Sequence, residues 1–421
     1  MSKNRWANLS MAYIALVGAF LPYIGWSPSL SEISEGLSLS YSQAGSISSV
    51  TGLVAGVMIV IGGVIASRLG PKRVILAGLA AGVVGQLVFA AAESIELLMV
   101  GRVFAGLSVG FLWVATYTMA ADWFRNDRQT GRALGVMMSG DGVGALLSLF
   151  AFAAVLTAFG WRLGLVVQAV FLVVVLILVA VVSRNAPSAG KDSAQPNDAF
   201  ESTLKASTTD GTVRAIANRN VLSAVIFWIG GVGLFSVVAS WMPAILVEDA
   251  GMSESLAGFL TSLFSIAGMA AAFGVPLIAE RLGNKKPVIL GAGVLSAAAI
   301  AALTAFLATD NYVWVAICIP VMGLGIYGGE PLTLAEAVES VSAKHAGIVT
   351  GVILGVPWIV SGFAYPYVLG VVKDATGSFV NGFIALTIAT VALCAISPLF
   401  IKANKTTHTG DKLHGASSAL A

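Results

Sequence analysis

Polar interruptions divide the chain into twelve apolar runs, at approximately residues 9–30, 43–66, 74–92, 98–121, 132–157, 162–183, 221–243, 254–279, 288–308, 313–337, 347–370 and 379–401. About twenty apolar residues in helical form cover the hydrocarbon core of a bilayer. Lipid offers no hydrogen bonds to backbone groups, so an open chain crosses it only as helices that satisfy those groups internally. The pattern predicts an all-α polytopic membrane protein with twelve transmembrane helices, six on either side of a long polar stretch at 184–220. That stretch is rich in Ser, Thr, Asn, Asp and Lys, holds Pro187 and Pro196, and lacks sustained apolar periodicity. It reads as a flexible linker with a short helix around 199–206. The expected organisation is a six-helix bundle over 1–183, a linker over 184–220, a second bundle over 221–401 and a tail over 402–421.

Composition agrees with this pattern and removes other classes. Hydrophobic residues make up 57% of the chain and charged residues 10%, against roughly 25% charged in a soluble domain. A soluble α/β enzyme of this length has no way to hide so much apolar surface. A formal net charge of +2 supplies no basic face for nucleic acid. Cys318 and Cys394 lie far apart inside apolar runs, so no disulfide framework is implied. His345, His408 and His414 fall in polar stretches, and neither H-E-x-x-H nor a Cys-pair spacing occurs. No metal and no cofactor are expected. The first run extends from Leu9 to about Leu30 without an A-x-A-like exit, which favours an uncleaved span over a signal peptide.

Charge placement gives an orientation. With the N-terminus in the cytoplasm, 20 of the 23 Lys and Arg residues fall on the cytoplasmic side, leaving only Arg102, Arg162 and Lys373 elsewhere. Positive charge concentrates on that side of such proteins, so both termini and the linker are expected in the cytoplasm. The two sets of six also repeat. Gly63 to Leu76 reads G-V-I-A-S-R-L-G-P-K-R-V-I-L, and Pro276 to Leu290 reads P-L-I-A-E-R-L-G-N-K-K-P-V-I-L. Gly131-x-x-x-Gly135 is matched at a similar offset by Gly347-x-x-x-Gly351. Parallel six-helix repeats joined by a linker are a transporter architecture, with the solute held between the halves near mid-membrane.

Over nearly its whole length the chain resembles the major facilitator superfamily. The family's loop 2–3 signature, G-x-x-x-D-R-x-G-x-K/R-K/R, is present as Gly63, Arg68, Gly70, Lys72 and Arg73, with Ser67 in place of the acid. In the second copy Glu280, Arg281 and Gly283 keep the pattern, while Pro276 replaces the leading glycine. The resemblance implies two pseudo-symmetric six-helix bundles and a charge latch at these loops that closes the cytoplasmic side in the outward-facing state. G-R-V-F-A-G-L-S-V-G resembles a helix 4 signature whose arginine, here Arg102, modulates a protonation site in many proton-linked members. The helix 5 motif of drug-exporting antiporters, G-x-x-x-G-P-x-x-G-G, is met only loosely by S-G-D-G-V-G-A, with Asp141 where the proline belongs.

Of 21 acids, 19 fall in loops, tails or helix ends. Asp141 in helix 5 and Glu330 in helix 10 are the deep ones. A charge at the centre of a lipid-facing helix costs roughly 2.5–3.5 kcal/mol, so both should face the bundle interior. The plain alternative for Asp141 is a carboxylate locking a helix contact beside Gly140 and Gly142; for Glu330 it is an acid serving the kink at Pro331. A carboxyl short of water favours its neutral form and can ferry a proton, which makes these two the expected proton carriers. Arg102 and Trp113 lie eleven positions apart, within about 20° of three full turns, and so share a stripe with Tyr117 near it. Arg102 reads either as an anion-binding or gating group or as a cation snorkelling to outer headgroups. Trp113, Tyr117, Tyr327 and Trp358 are the aromatic candidates for the solute, while Tyr23, Trp26 and Trp241 read rather as interface anchors. Glycine spacings at Gly52/Gly56, Gly78/Gly82, Gly140/Gly144 and Gly347/Gly351/Gly355 let backbones approach. In the family, helices 2, 5, 8 and 11 line the seam between the halves.

The expected activity is secondary active transport of a small organic solute by proton-coupled symport, a monocarboxylate being one candidate. A proton-linked efflux antiporter for amphipathic or cationic compounds is the alternative. No P-loop is present, since Gly190-Lys191 is followed by Asp192, and the two deep acids lie in different halves without a nucleophile motif, so no enzyme is expected. The expected setting is a bacterial inner membrane, the expected state a monomer, and the expected partners a small solute, protons and the bilayer, without nucleic acid.

Overall fold

The computed structural model describes residues 2–124, 130–186, 210–342 and 345–402. Among them, twelve helices are long and apolar enough to cross a membrane: α1 (Asn4–Gly36), α2 (Tyr41–Ala66), α3 (Pro71–Ala90), α4 (Ile95–Trp123), α5 (Arg132–Phe159), α6 (Trp161–Val182), α7 (Arg219–Glu248), α8 (Glu254–Leu282), α9 (Lys285–Leu307), α10 (Tyr312–Glu339), α11 (Ala346–Thr376) and α12 (Phe379–Phe400). The described residues contain no strand. Each helix coincides with one predicted apolar run and overruns it where a polar end turn is capped. Ser40 accepts from Gln43 N while the Gln43 side chain accepts from Ser40 N, which starts α2 two residues before its run. Ser253 and Ser378 cap α8 and α12 in a similar way.

The expected helix around 199–206 and the tail beyond residue 402, with His408 and His414, lie outside the described residues. Within the predicted linker, Asp210–Ile216 forms a helix ahead of α7. Its Ala215 is buried in a small cluster with Val221, Ala337 and Val349, which ties this segment to α7, α10 and α11.

Gly70 and Gly283 occupy equivalent places in the two repeats, after α2 and α8, and both take positive φ, 81° and 63°. Only a residue without a Cβ enters that region cheaply, which is the local reason each copy of the motif carries glycine there. The helical ends nearest these loops carry Arg68, Arg73, Arg281, Lys285 and Lys286 and are called the basic end below.

The seam between the first six and last six spans is closed from the opposite end to mid-depth. Along α2 and α11, a Cβ on Gly370 would stand against Tyr41 O, on Gly45 against Pro366 O, on Gly52 against Gly362, on Gly56 against Ile359, and on Gly355 against Val60. Further towards the basic end, nothing lies within 4 Å of where a Cβ on Gly351 or Gly347 would stand. The α5–α8 seam differs: Gly258 abuts Leu149 O, Phe150 packs on Phe259 at 5.3 Å, and Gly142 and Gly135 meet Met269 and Phe273, which keeps the two helices in contact down to the first turn of α5. Along α2 and α11 the halves are therefore shut at the opposite end and parted at the basic end. Gly140 and Gly144 do not belong to this seam, for they seat Leu16, Tyr13 and Phe20 of α1.

Candidate functional site

Asp141 enters from α5 and Glu330 from α10, both on the basic side of mid-depth and both half-buried. The Asp141 Oδ1 is enclosed and has no hydrogen-bond partner. The two carboxyls are within electrostatic reach of one another, and the Tyr327 hydroxyl is within reach of both. Tyr117 of α4 lies within electrostatic reach of Asp141. The Glu330 carboxyl lies against Gly231 of α7, where a Cβ would overlap it. The Glu330 backbone carbonyl accepts from Trp228 Nε1 at 3.3 Å and Thr333 Oγ1 at 2.8 Å, so the backbone at Pro331 is served without the acid's own side chain. Among the described residues neither acid is paired with a cation.

Above the carboxyls, on the closed side, aromatic rings from both halves meet at mid-depth. Trp113 of α4 and Trp358 of α11 stand 5.9 Å apart, edge to face. Trp358 also meets Tyr23 of α1 at 5.3 Å and Phe235 of α7 at 6.4 Å. Phe235 stacks on Phe264 of α8, which meets Tyr327 at 6.0 Å. Phe20 completes the N-terminal side against Trp113 at 5.9 Å. Rings at these separations attract beyond their area burial, and here each cross-half pair also seals the path to the opposite end. Of the predicted aromatic candidates, Trp113, Tyr327 and Trp358 belong to this septum, and Tyr117 lies on its open side. Phe20, Phe235 and Phe264 were not predicted, because a phenylalanine inside an apolar run carries no contrast with its neighbours.

Arg102 corrects an expectation. Its side chain is 1% exposed, so it reaches no headgroup. Its Nη1 donates to Pro22 O at 2.6 Å, Nη2 to Tyr23 O at 2.8 Å and Nε to Ile47 O at 3.1 Å. Trp26 and Phe89 cover the guanidinium at 4.9 and 5.6 Å. The regular turns of α1 give out at 25–29, beside Pro28, and leave carbonyls that the arginine serves. Arg102 braces α1, α2 and α4 and offers no donor set to a solute or an outer gate. Tyr23, Trp26 and Trp241 correct another, since all three are buried in the core and none sits at an interface.

The opposite end is sealed by carboxylates of the C-terminal half accepting from donors of the N-terminal half. Glu248 accepts from Ser31 Oγ at 2.5 Å, and Glu254 from Thr157 Oγ1 at 2.5 Å and Ser29 Oγ at 3.4 Å. Asp374 of α11 takes Tyr41 N at 2.9 Å and Ser42 N at 2.8 Å, capping α2 from across the seam. Ser27 Oγ adds a bond to Ala239 O at 2.8 Å. Nearby, a recess of about 350 Å³ is lined by Asp249, Asp310, Tyr312 and Lys373. Burial raises the Asp249 carboxyl above its usual range, Lys373 pulls it back, and Asp310 adds to the rise.

At the basic end the motif residues are split. Arg68, Glu280 and Arg281 are exposed. Gly63 lies near Val114. Lys72 is engaged within its own half, its N–H donating to Asn185 Oδ1 at 3.0 Å and its Nζ to Ala180 O at 2.7 Å. Arg73 lies in the first turn of α3, and Gly70 and Gly283 make the turns already described. Lys285, next to the second copy, holds Glu339 at 2.5 Å and the buried Glu336 at 3.8 Å, a tie between α9 and α10 that the motif did not announce.

A family model described as Major Facilitator Superfamily matches residues 10–366. The chain is 22% identical over 414 residues to a nitrite extrusion protein of Bacillus subtilis (strain 168), covering 97% of this chain and 98% of that one. It is also 22% identical to the multidrug resistance protein MdtL of Klebsiella pneumoniae, over 79% of this chain and 81% of that one. Among solved structures, a bacterial homolog of the human lysosomal transporter Spinster, in an inward-facing and unoccupied conformation, superposes with a TM-score of 0.74 at 16% identity, over 95% of this chain and 97% of that one.

Proposed function

The chain belongs to the major facilitator superfamily, and from that premise we propose that this transporter moves a small organic solute by alternating access coupled to protons. The coupling pair is Asp141 and Glu330, with Trp113, Tyr117, Tyr327 and Trp358 forming the solute's surroundings. The two rocking bodies are residues 1–183 and 221–401, joined by 184–220. The basic end faces the cytoplasm of a bacterial cell whose inner membrane holds the protein as a monomer, both termini inside.

One observation carries the reading: two carboxyls, one from each half, lie half-buried within electrostatic reach of one another beside the aromatic septum, with no counter-cation among the described residues. Closing the basic end over ionised acids would bury uncompensated charge at several kcal/mol per ion. The halves then rock only when the acids are neutralised, and a proton on each is the smallest way to do that. Protonation thereby favours one conformational change, which is what coupling requires. Symport of a monocarboxylate calls for a cation to receive it, and Arg102, the deepest described cation, is consumed by three carbonyls. That favours exchange of the solute against protons.

The motif loops fit the same cycle. Arg68, Lys72 and Arg73 with Glu280 and Arg281 form the latch that closes the cytoplasmic side once the acids are neutral. Proteoliposomes test the reading. An imposed pH gradient should drive solute flux in the wild type, and Asp141→Asn and Glu330→Gln should each reduce the gradient-driven component at least about tenfold. Undiminished proton dependence in both variants would remove the pair from the mechanism.

A further inference from the structure

The chemistry around the pair also bears on what is carried. Around the pair stand the phenols of Tyr117 and Tyr327, the Ser265 hydroxyl on Tyr327 and the Cys394 thiol on the Glu330 side. The walls towards the closed end are aromatic: Trp113, Trp358, Phe235 and Phe264. Every described Lys or Arg other than Arg102 lies in the first or last turn of a helix or beyond it. Arg102 turns its guanidinium onto α1 and α2. An anion would meet two negative charges and no donor cation. A small inorganic cation wants six or more oxygen ligands at short range, which two carboxyls and two phenols do not supply. A diffuse organic cation meets both features of the site, since carboxylates offset its charge and ring faces attract it.

We infer that the solute is a hydrophobic organic cation whose charged centre sits between Asp141 and Glu330 and whose apolar body lies on Trp113, Trp358 and Tyr327. This rests on the reading of the two acids as the coupling pair and adds a rule of exchange. The same carboxyls hold either protons or the cation, so each neutral loading lets the halves close and the empty ionised site does not. Antiport follows from shared occupancy, without a second binding site.

Tetraphenylphosphonium and tetraphenylborate separate charge from shape, having nearly the same size and opposite sign. Equilibrium dialysis against the purified full chain in lipid nanodiscs, with empty nanodiscs subtracted, reads their binding. We expect saturable binding of tetraphenylphosphonium and none of tetraphenylborate. Affinity for the cation should fall as pH drops from about 7.5 to about 5, up to about tenfold per unit for each proton displaced. The other ionisable groups interacting with the pair are the phenols of Tyr117 and Tyr327 and the Cys394 thiol; phenols and thiols keep their protons across that range, so the slope reports the acids. Asp141→Asn/Glu330→Gln should weaken the cation at least about tenfold and flatten its pH dependence, and the wild-type titration stands if that variant fails to fold. Equal binding of both ions, preference for the borate, or a cation affinity indifferent to pH and to both acids overturns the inference. Carboxyl-dependent cation binding whose flux ignores an imposed pH gradient would instead sink the coupling reading and leave the solute class standing. Gradient-driven, carboxyl-dependent flux of a neutral or anionic solute, with no binding of tetraphenylphosphonium, would do the reverse.

Discussion

Arg102 illustrates how far a single residue can be read from its type and depth. An intramembrane arginine announces itself in the sequence, but its partners here are backbone carbonyls of Pro22, Tyr23 and Ile47, which no residue type encodes. Lysine in its place would keep the charge and lose the fork, because an ammonium on one stem cannot serve three carbonyls on two helices. Hydrogen bonds to a charged group are worth about 1.5–3 kcal/mol each, and a buried acceptor left unmade costs more than a neutral exchange. Arg102→Lys is therefore expected to lower the thermal midpoint of the detergent-purified protein markedly, by loss of at least about 3 kcal/mol. The pH dependence of transport in the surviving folded fraction should not move. A variant with wild-type stability but altered solute affinity would return Arg102 to the binding site. Asp141 and Glu330 were legible for the opposite reason: an acid has no cheap place within a span, so position alone marked them. The septum phenylalanines gave no such contrast.

At the scale of elements, the twelve spans were legible to within about six residues at either end, because the bilayer imposes one period and one length. What the pattern hid was which helix ends do work. Glu248, Glu254 and Asp374 sit at helix termini, where acids are ordinarily solvated, yet each accepts from the other half. Asp374 takes two backbone N–H groups at the start of α2, the place where a negative charge also favours the helix dipole. Removing it leaves those donors to water and takes away a bond made only while the opposite end is shut. Asp374→Ala together with Glu254→Ala should shift the balance towards the form open at that end by about 1–3 kcal/mol, or about 5- to 150-fold. A Ser240→Cys reporter, buried beneath the seal, should then label faster from that side in a background without Cys318 and Cys394. Unchanged labelling would mean that apolar packing alone, Gly52 on Gly362 and Gly370 on Tyr41, keeps the end shut. Widening that packing is a separate test. Gly52→Val places branched carbons where the Gly362 backbone already stands, an overpacking that costs about 1–3 kcal/mol, and it should speed the same labelling even with every acid intact.

For the whole molecule, the two sealed seams and the unpaired acids combine into one condition on movement. The closed end is held by contacts that are all made, while the open end exposes a pair whose ionised form resists enclosure. Protonation removes that resistance, so the sign is fixed: the basic end stays parted above the titration range of the pair and becomes free to close below it. Leu69 and Leu282 directly precede Gly70 and Gly283, at equivalent places of the two repeats, and both are exposed, at 51% and 60%, so spin labels at Leu69→Cys and Leu282→Cys report the gap directly. In the purified wild type without solute, a short-distance population should grow as pH is lowered and recede as it is raised. In Asp141→Asn/Glu330→Gln the carboxyls no longer titrate, and the short population should be present at every pH to about the extent seen in acidified wild type. An equal pH response in both proteins would place the proton switch elsewhere, with the exposed Glu280 of the basic-end loop as the next group to test. A wild type that stays parted at every pH, while the double variant closes, would show that the acids hold the halves open and that only a bound cation releases them.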